Sequence, residues 1–442
     1  MPIDVPLYYN EIEKIVNIYG TPLQLYDVDG VLINSIKYNT TFLKYFSNYK
    51  QFFAVKALPN PIIMNKLKKI ANFGFDCSSI NEIYLAKLAG CEKGDIMYTS
   101  NYTSINDLID AMKNNVILNL DDIDILDNLQ EALKEVPEYL IENKLISFRL
   151  NPNIGKTNSE TKSNILGGSG SKFGIPDFDI IKAYEIAQKI GFTEFGIHIM
   201  CGSCVTDPEY WIDIISSLYK TIAIINKSLN IKFKFINIGG GFGIPYKPDE
   251  LPLDLDLVVK NIKNTIDKCK LYYDIDFDPA IYTENGRYIT GPFGWLITKC
   301  NAIKKSYNSQ IFFGLDACMS NLMRPGMYGS YHHITIPRIS GIDTKDIKLI
   351  CANVVGTLCE NNDWFAKNRF LPEDTKKGEL FVIHDTGAHS HSMGFQYNSK
   401  LKAPEIMIFN NKIELCRYGD TFEDIIQKYP IGVFNLNLKI LN

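Results

Sequence analysis

The feature that most constrains the fold is a regular alternation of strand-like and helix-like segments between residues 51 and 287. Eight short apolar runs have the length and composition of buried strands, at residues 51–56, 74–78, 95–100, 116–120, 145–150, 195–200, 233–238 and 280–284. Between them, apolar residues recur at helical spacing, as in 62–71, 80–88, 180–190 and 211–226. Eight such units favour a closed (β/α)8 TIM barrel over an open doubly wound sheet.

The segments on either side of this alternation follow another pattern. Residues 21–27 read as a single strand. After Phe293, short strands with turn signals follow, at residues 296–304, 310–316, 348–355, 380–384, 405–409 and 412–416. We therefore predict an α/β barrel over residues 29–287 and a C-terminal antiparallel β domain over residues 288–442, joined by the strand within residues 1–28.

Composition excludes several classes of protein. The 442 residues are 46% hydrophobic and 22% charged, with a net charge of −4, which is the profile of a soluble globular chain. We expect no nucleic-acid partner and no membrane partner, because there is no basic stripe and no apolar run near the roughly 20 residues of a membrane helix. Ten cysteines in a long chain without a secretory signal indicate reduced thiols and a cytoplasmic location.

Lys56 ends the first predicted barrel strand, directly after the apolar run 52–55. Catalytic groups of barrels lie at the carboxyl ends of the strands. A poorly solvated amine there has a lowered pKa, so it can attack an aldehyde and hold it as a Schiff base. An isolated lysine at such a position more often extends into solvent, so the neighbouring strand ends decide between the two interpretations.

The end of the seventh predicted strand carries a run of glycines, Gly239, Gly240 and Gly241. Without a Cβ, backbone N–H groups can close around a phosphate, and loops at this position of a barrel commonly do so. A flexible turn explains a glycine run about as well. The position of the run after strand seven is what favours the phosphate site.

The end of the eighth predicted strand carries Glu284, Gly286 and Arg287. A carboxylate at this position can pair with a protonated ring nitrogen, and an arginine can bind a phosphate or a carboxylate through two hydrogen bonds. A surface ion pair is the alternative for this segment alone. A Schiff-base lysine, a phosphate cradle and a carboxylate for a pyridinium together indicate pyridoxal 5′-phosphate.

With these residues in place, the sequence resembles the fold-type III, alanine racemase-like decarboxylases that use pyridoxal 5′-phosphate, and among them the diaminopimelate decarboxylases. The resemblance spans nearly the whole chain. Its motifs lie at residues 53–57, 74–79, 172–174, 239–241, 284–287, 321–328, 359–363, 387–389 and 397–398. It implies decarboxylation of meso-2,6-diaminopimelate to L-lysine, a lyase reaction of lysine biosynthesis.

The resemblance also assigns roles to individual residues. Lys56 and Cys359 are the expected catalytic residues, and Cys359 would return a proton to the carbanion left by CO2. The expected cofactor-binding residues are Lys56, His198, Ser203, Gly239, Gly240, Gly241, Glu284, Gly286, Arg287 and Tyr397. The expected substrate-binding residues are Arg287, Arg324, Tyr328, Glu360 and Tyr397. In the family, Cys359 and Glu360 reach the partner's site, which implies a homodimer with shared active sites.

The sequence departs from the family pattern at several positions. Met200 stands where the family has the histidine that stacks on the cofactor ring, so either Met200 or His198 covers the ring. Asn285 replaces the usual proline, and His389 replaces a tyrosine.

Other interpretations stay open beside the main one. A decarboxylase of ornithine, arginine or carboxynorspermidine shares this scaffold. An amino acid racemase is less favoured, because such enzymes place an arginine rather than Glu284 at the ring nitrogen. Histidines at 332, 333, 384, 389 and 391 lack evident carboxylate support for a metal site, and we expect none.

Overall fold

The computed structural model describes residues 2–157, 165–339 and 347–430. Its strands are β1 (Leu23–Asp27), β2 (Tyr49–Ala54), β3 (Gly74–Cys77), β4 (Ile96–Tyr98), β5 (Ile117–Leu120), β6 (Leu145–Asn151), β7 (Lys156–Thr157), β8 (Ile175–Pro176), β9 (Glu194–Ile199), β10 (Gly202–Ser203), β11 (Phe235–Asn237), β12 (Ala280–Thr283), β13 (Gly294–Lys305), β14 (Ile311–Leu315), β15 (Ile334–Thr335), β16 (Leu349–Val355), β17 (Trp364–Pro372), β18 (Leu380–Ile383), β19 (Glu405–Phe409) and β20 (Lys412–Arg417). Its helices are α1 (Tyr9–Tyr19), α2 (Val28–Leu43), α3 (Pro61–Ala71), α4 (Ile80–Leu88), α5 (Ile105–Lys113), α6 (Ile125–Glu135), α7 (Tyr139–Glu142), α8 (Ile180–Ile190), α9 (Tyr210–Leu229), α10 (Leu255–Tyr272), α11 (Arg287–Thr290), α12 (Arg324–Tyr328) and α13 (Phe422–Ile426).

The predicted barrel is confirmed. Its strands β2, β3, β4, β5, β6, β9, β11 and β12 form a parallel sheet that closes on itself where β12 pairs with β2. Each predicted strand corresponds to one of these eight. Strand β2 shows why an apolar run predicts a barrel strand, because its Phe52 and Phe53 are both fully buried.

A separate β sheet, also as predicted, packs beside the barrel mouth. The long strand β13 pairs with β1, β14 and β18, so the N-terminal strand lies in the same sheet as the C-terminal ones. Most pairings are antiparallel, and two, β1 with β19 and β14 with β16, are parallel. Strand β17 and the amphipathic helix α1 were not anticipated. The predicted boundaries at residues 28/29 and 287/288 stay predictions, and residues 431–442 lie outside the described part.

Two contacts fix the β sheet against the loop that carries Lys56. The side chain of Asn60 caps helix α3 by accepting hydrogen bonds from Ile62 N–H and Ile63 N–H, and its amide donates to Glu405 Oε2 at 3.2 Å. His389 N–H donates to Ala57 O at 2.9 Å. The turn after β2 is thereby hydrogen-bonded to the second domain at two positions. Among the described residues, no helix is long and apolar enough to cross a membrane.

Candidate active site

A cavity of about 200 Å³ lies where the carboxyl ends of the barrel strands meet the β sheet. Eight residues that the sequence predicted line it: Lys56, Ser203, Gly241, Glu284, Gly286, Arg287, Arg324 and Tyr328. They come from four barrel strand ends and from helix α12 of the second domain. Strand ends far apart in sequence converge because parallel strands of a closed barrel end on one face.

Lys56 stands at the centre of a one-turn helix, Val55–Ala57, directly after β2. From the sequence we expect a poorly solvated amine, whereas the Lys56 side chain is exposed at the cavity. The strand ends at Ala54, two residues earlier than predicted, and this turn carries Lys56 out of the apolar layer. Gly286 approaches the turn so closely that a Cβ there would lie 2.5 Å from Ala57 Cβ. Glycine at 286 thus lets the eighth strand end pack against the Lys56 turn.

Glu284 is a buried residue at the same cavity and is held by two side chains. Asn237 at the end of β11 donates to Glu284 Oε1 at 2.6 Å. His198 Nε2 lies 3.0 Å from Glu284 Oε2, and its Nδ1 lies 2.8 Å from Asn119 Nδ2. Amide hydrogens of Asn119 point at Nδ1, so the proton of a neutral His198 sits on Nε2, facing Glu284. Three strand ends therefore fix the orientation of one carboxylate.

Two buried carboxyl groups near Lys56 differ in protonation. Burial raises the pKa of Glu284, but His198, Lys56 and Asn237 outweigh it and hold that pKa below its usual range. Burial and the nearby charge of Glu284 raise the pKa of Asp76 well above its usual range. Adjacent buried carboxylates avoid carrying two charges, so Glu284 is ionised and Asp76 is neutral.

The glycine run forms a tight loop between β11 and the neighbouring strand ends. Gly239 and Gly241 adopt φ values of +72° and +91°, which side chains rarely tolerate. A Cβ on Gly240 would lie 2.5 Å from Glu284 O. Asn285 secures the far side of the loop, since its Oδ1 accepts a hydrogen bond from Phe242 N–H at 3.1 Å. The loop brings backbone rather than side chains to the cavity wall.

Met200 and His198 occupy different positions. Met200 lines the cavity, and its sulfur accepts a hydrogen bond from Gly240 N–H at 3.2 Å. His198 is 1% exposed and lies behind Glu284. Of the two residues considered for covering a cofactor ring, Met200 is therefore the one at the cavity surface.

Six predicted residues do not line the cavity. Three of them, His198, Gly239 and Gly240, lie directly behind its lining, whereas the other three lie away from it. Cys359 and Glu360 are exposed on the loop between β16 and β17. Tyr397 is 48% exposed on a separate turn. The two segments contact each other, because Cys359 N–H donates to Asn398 Oδ1 at 2.8 Å. They form one surface outside the cavity.

Several residues of the site escaped the sequence analysis. Cys204 and Met393 line the cavity, and Tyr246 contacts both of its arginines. Asn237 supports Glu284 from the end of β11. Because Asn237 lies at the end of a predicted strand, it could have been predicted as a site residue. Tyr246 lies beyond the glycine run in an irregular loop, where no sequence periodicity indicates a role for it.

The residues present fit pyridoxal 5′-phosphate. The cavity is lined by a primary amine and by a buried, ionised carboxylate. Gly241 brings backbone rather than a side chain to the cavity wall, and Arg287 adds a cationic group that can bind an anion. This donor set contains the amine, anion-binding and pyridinium-binding groups that the cofactor requires.

Known proteins share both the sequence and this architecture. Residues 34–291 match the family described as pyridoxal-dependent decarboxylase, pyridoxal binding domain. A diaminopimelate decarboxylase of Methanothermobacter thermautotrophicus is 35% identical over 409 residues, covering 92% of this chain and 91% of that protein. Protein TabA of Pseudomonas amygdali pv. tabaci is 35% identical over 432 residues, covering 96% of this chain and 95% of that protein.

A solved structure extends the similarity to three dimensions. The diaminopimelate decarboxylase of M. jannaschii in complex with L-lysine superposes with a TM-score of 0.84 at 27% identity, covering 96% of this chain and 95% of that one. The similarity thus includes both the barrel and the second domain. Sequence, fold and cavity agree, and the chain belongs to the family of pyridoxal-dependent decarboxylases.

Proposed function

We propose that this enzyme decarboxylates meso-2,6-diaminopimelate to L-lysine and CO2. The observation that carries the proposal is that Lys56, Glu284 and two arginines line a single cavity. Relatives named as diaminopimelate decarboxylases at 31–35% identity support it, as does a related structure that holds L-lysine.

The buried wall of the cavity is proposed to anchor and polarise the cofactor. Pyridoxal 5′-phosphate, when bound, supplies an electron sink for the bonding pair released as CO2 departs. Lys56 would hold the aldehyde of the cofactor, and Glu284 would hold a proton at its ring nitrogen. Asn237 and His198 keep Glu284 ionised and oriented for that task. Met200, which lines the cavity, would contact the ring through its polarisable thioether.

The remaining contacts to the cofactor are assigned to residues at the same side of the barrel. Ser203 and the loop of Gly239, Gly240 and Gly241 are proposed to bind the phosphate, and Arg287 is proposed to contact the cofactor only through its backbone, because its guanidinium is hydrogen-bonded to Tyr246. Gly286 supports them by allowing the close approach of the eighth strand end to the Lys56 turn.

The two arginines favour a substrate with a second carboxylate. Arg324 is 4% exposed, and among the described residues its hydrogen-bond partners are the neutral side chains of Tyr246, His332 and Ser330. A buried cation without a carboxylate partner is costly until an anion binds it. Diaminopimelate brings a distal carboxylate to this position and ornithine does not. Tyr328, one turn from Arg324 on α12, is proposed to contact the same end of the substrate.

The exposed Cys359 surface is proposed to complete the site of a second subunit. Cys359 would supply the proton that replaces CO2 on the substrate carbon, and Glu360 would bind the distal amino group. Tyr397 contacts cofactor and substrate once the two subunits meet. The support for this homodimer is that all three side chains are solvent-exposed in one chain yet lie on one connected surface.

A cytoplasmic location is proposed as well. All ten cysteines are free, including the exposed Cys351 and Cys359. Exposed thiols of this kind persist in a reducing compartment.

Product analysis tests the substrate. Purified holoenzyme is incubated with meso-diaminopimelate, ornithine, arginine and carboxynorspermidine, and CO2 and amine products are measured. We expect CO2 and L-lysine from diaminopimelate, with the other substrates at least roughly 100-fold slower in kcat/KM, because they lack the distal carboxylate. Faster turnover of ornithine or arginine would overturn the substrate assignment, and D/L exchange without CO2 would indicate racemisation.

A further inference from the structure

Both cavity arginines donate hydrogen bonds to one phenol oxygen. Arg287 Nη1 lies 2.5 Å from Tyr246 Oη, and Arg324 Nη1 lies 2.8 Å from the same atom. Tyr246 is 7% exposed, so these bonds are shielded from water. The separation of the two guanidinium groups is therefore set by a single oxygen atom.

The aromatic ring of Tyr246 is fixed as tightly as its hydroxyl. The guanidinium carbons of Arg324 and Arg287 lie 4.8 Å and 5.9 Å from the ring centroid. The ring also packs edge to face against His332, with centroids 5.1 Å apart. Tyr246 therefore has little freedom to rotate away from the arginines.

His332 completes the support on the other side of Arg324. Its Nδ1 lies 2.8 Å from His384 O, which requires a proton on Nδ1. Its Nε2 then accepts a hydrogen bond from Arg324 Nη1 at 2.8 Å. Burial and Arg324 hold the pKa of His332 well below its usual range, which keeps the ring neutral.

Among the described residues, the side chains that accept hydrogen bonds from the arginine pair are neutral. Burial raises the pKa of Tyr246, although Arg287 and Arg324 oppose this, so the phenol is un-ionised at neutral pH. Burial and Arg287 lower the pKa of Arg324, while Tyr246 acts against them. The phenol oxygen thus stabilises two like charges side by side without neutralising either, and both stay available to an anion.

We propose that Tyr246 is a positioning residue that holds Arg287 and Arg324 as a two-cation site for the carboxylate of the substrate remote from the reacting carbon. This inference rests on the proposed function and adds the element that sets specificity. It implies that loss of the hydroxyl weakens binding of dicarboxylates more than it slows the chemical step, because the reacting bond lies near Lys56 and Glu284.

Tyr246→Phe tests the role, since it keeps the ring and removes only the shared acceptor. We expect KM for meso-diaminopimelate to rise about 10-fold, with a smaller fall in kcat. Pimelate, which has two carboxylates and no amine, serves as a binding probe for the holoenzyme in calorimetry. Its Kd should weaken by a similar factor.

Tyr184→Phe is the matched control. Tyr184 is fully buried, donates one hydrogen bond to Gly196 O at 2.7 Å and lies on α8, outside the cavity. It should lower stability while leaving KM and the pimelate Kd at wild-type values. Ser330→Ala is the second variant should Tyr246→Phe fail to fold. It removes another neutral acceptor of Arg324, at 3.3 Å, and should raise KM about threefold.

The outcomes separate this inference from the proposed function. Wild-type enzyme that releases no CO2 from diaminopimelate overturns the proposed function, and pimelate binding then still reports on the arginine pair. Active wild-type enzyme with unchanged KM and pimelate Kd in Tyr246→Phe, or in Ser330→Ala where the former does not fold, overturns the positioning role. A fall in kcat at constant KM overturns it too.

Discussion

The cavity wall and the Cys359 loop (residues 356–363) differ in how completely one chain builds them. In the wall, Glu284 is 7% exposed and has two hydrogen-bonding or charged neighbours that fix its position. In the loop, Cys359 and Glu360 are exposed and lie on the surface. Buried polar groups must be satisfied within the fold, whereas exposed ones need no partner. One chain therefore builds the cofactor cavity by itself, whereas the proposed proton donor lies outside that cavity.

Under the proposed mechanism, the two halves of the reaction depend on different parts of the molecule. Binding and polarising the cofactor would depend on buried contacts that form as the barrel folds. Proton return would depend on an exposed surface that completes the cavity of a second subunit. Changes in the wall should therefore act within each subunit, and changes in the loop should act across subunits.

The largest effect is expected in the wall, at Glu284. Glu284→Gln removes the charge that holds the ring nitrogen protonated, and we expect kcat to fall roughly 1,000-fold. The absorbance of the bound cofactor should persist, because Lys56 is unchanged. Glu405→Gln is the control, since Glu405 is equally buried but lies at the domain junction. Activity within tenfold of wild type would contradict the role of Glu284.

The next effect is expected in the loop. Cys359→Ala should lower kcat roughly 100-fold through loss of the general acid, with cofactor absorbance retained. Cys351→Ala is the matched control, because Cys351 is another exposed cysteine of the second domain. Equal activities of the two variants would remove Cys359 from the mechanism.

A smaller effect is expected where the wall departs from its family. Asn285 Nδ2 donates to Tyr38 Oη at 2.7 Å, and its Oδ1 accepts from Phe242 N–H at 3.1 Å. Asn285→Ala breaks both bonds, which should weaken cofactor binding by about 1–3 kcal/mol. Tyr38→Phe breaks only the first and should cost less. An unchanged Kd for the cofactor in Asn285→Ala would show that the loop holds its shape unaided.

The smallest effect concerns the stability of the folded protein at acidic pH. His332 is neutral in the folded protein because burial and Arg324 lower its pKa, whereas in the unfolded chain it binds a proton below its ordinary value of 6.5. The unfolded state then holds the extra proton, so stability falls as pH drops through 6.5 toward the folded value, by about 1.4 kcal/mol per pH unit. The free energy of unfolding, measured with urea between pH 6.5 and 5, should therefore fall less steeply for His332→Gln than for wild type, by about 1.4 kcal/mol per pH unit. Parallel declines would contradict a neutral His332.

Sequence patterns anticipated the barrel because each strand carries its own signal. Strands buried on both faces appear as continuous apolar runs, and β2 with Phe52 and Phe53 is a clear case. Their carboxyl ends share one face of the barrel, so Lys56, Glu284 and Arg287 could be assigned to one cavity before any contact was known. The parallel pairing of β1 with β19 had no such local signal, since strand partners are chosen in three dimensions.

The rest of the site could not be predicted, because it depends on contacts between distant segments. The bridge from Arg287 to Arg324 joins α11 to α12 through a loop residue, Tyr246. The solvation of Lys56 depends on one turn of helix after β2, which the apolar run did not reveal. Exposure of Cys359 was likewise invisible to motif matching, which assigns a role without placing a side chain.

The proposed shared site is tested most directly by mixing two variants that we expect to be impaired. Under the proposed mechanism, Lys56→Ala lacks the anchor and Cys359→Ala lacks the proton donor, so each homodimer is impaired in both of its sites. Random exchange of subunits produces hybrids in which one site has both residues intact. We expect recovery of about one quarter of wild-type CO2 release in an equal mixture. Activity no greater than the average of the two separate variants, with subunit exchange demonstrated, would contradict a site completed by Cys359 of the partner subunit.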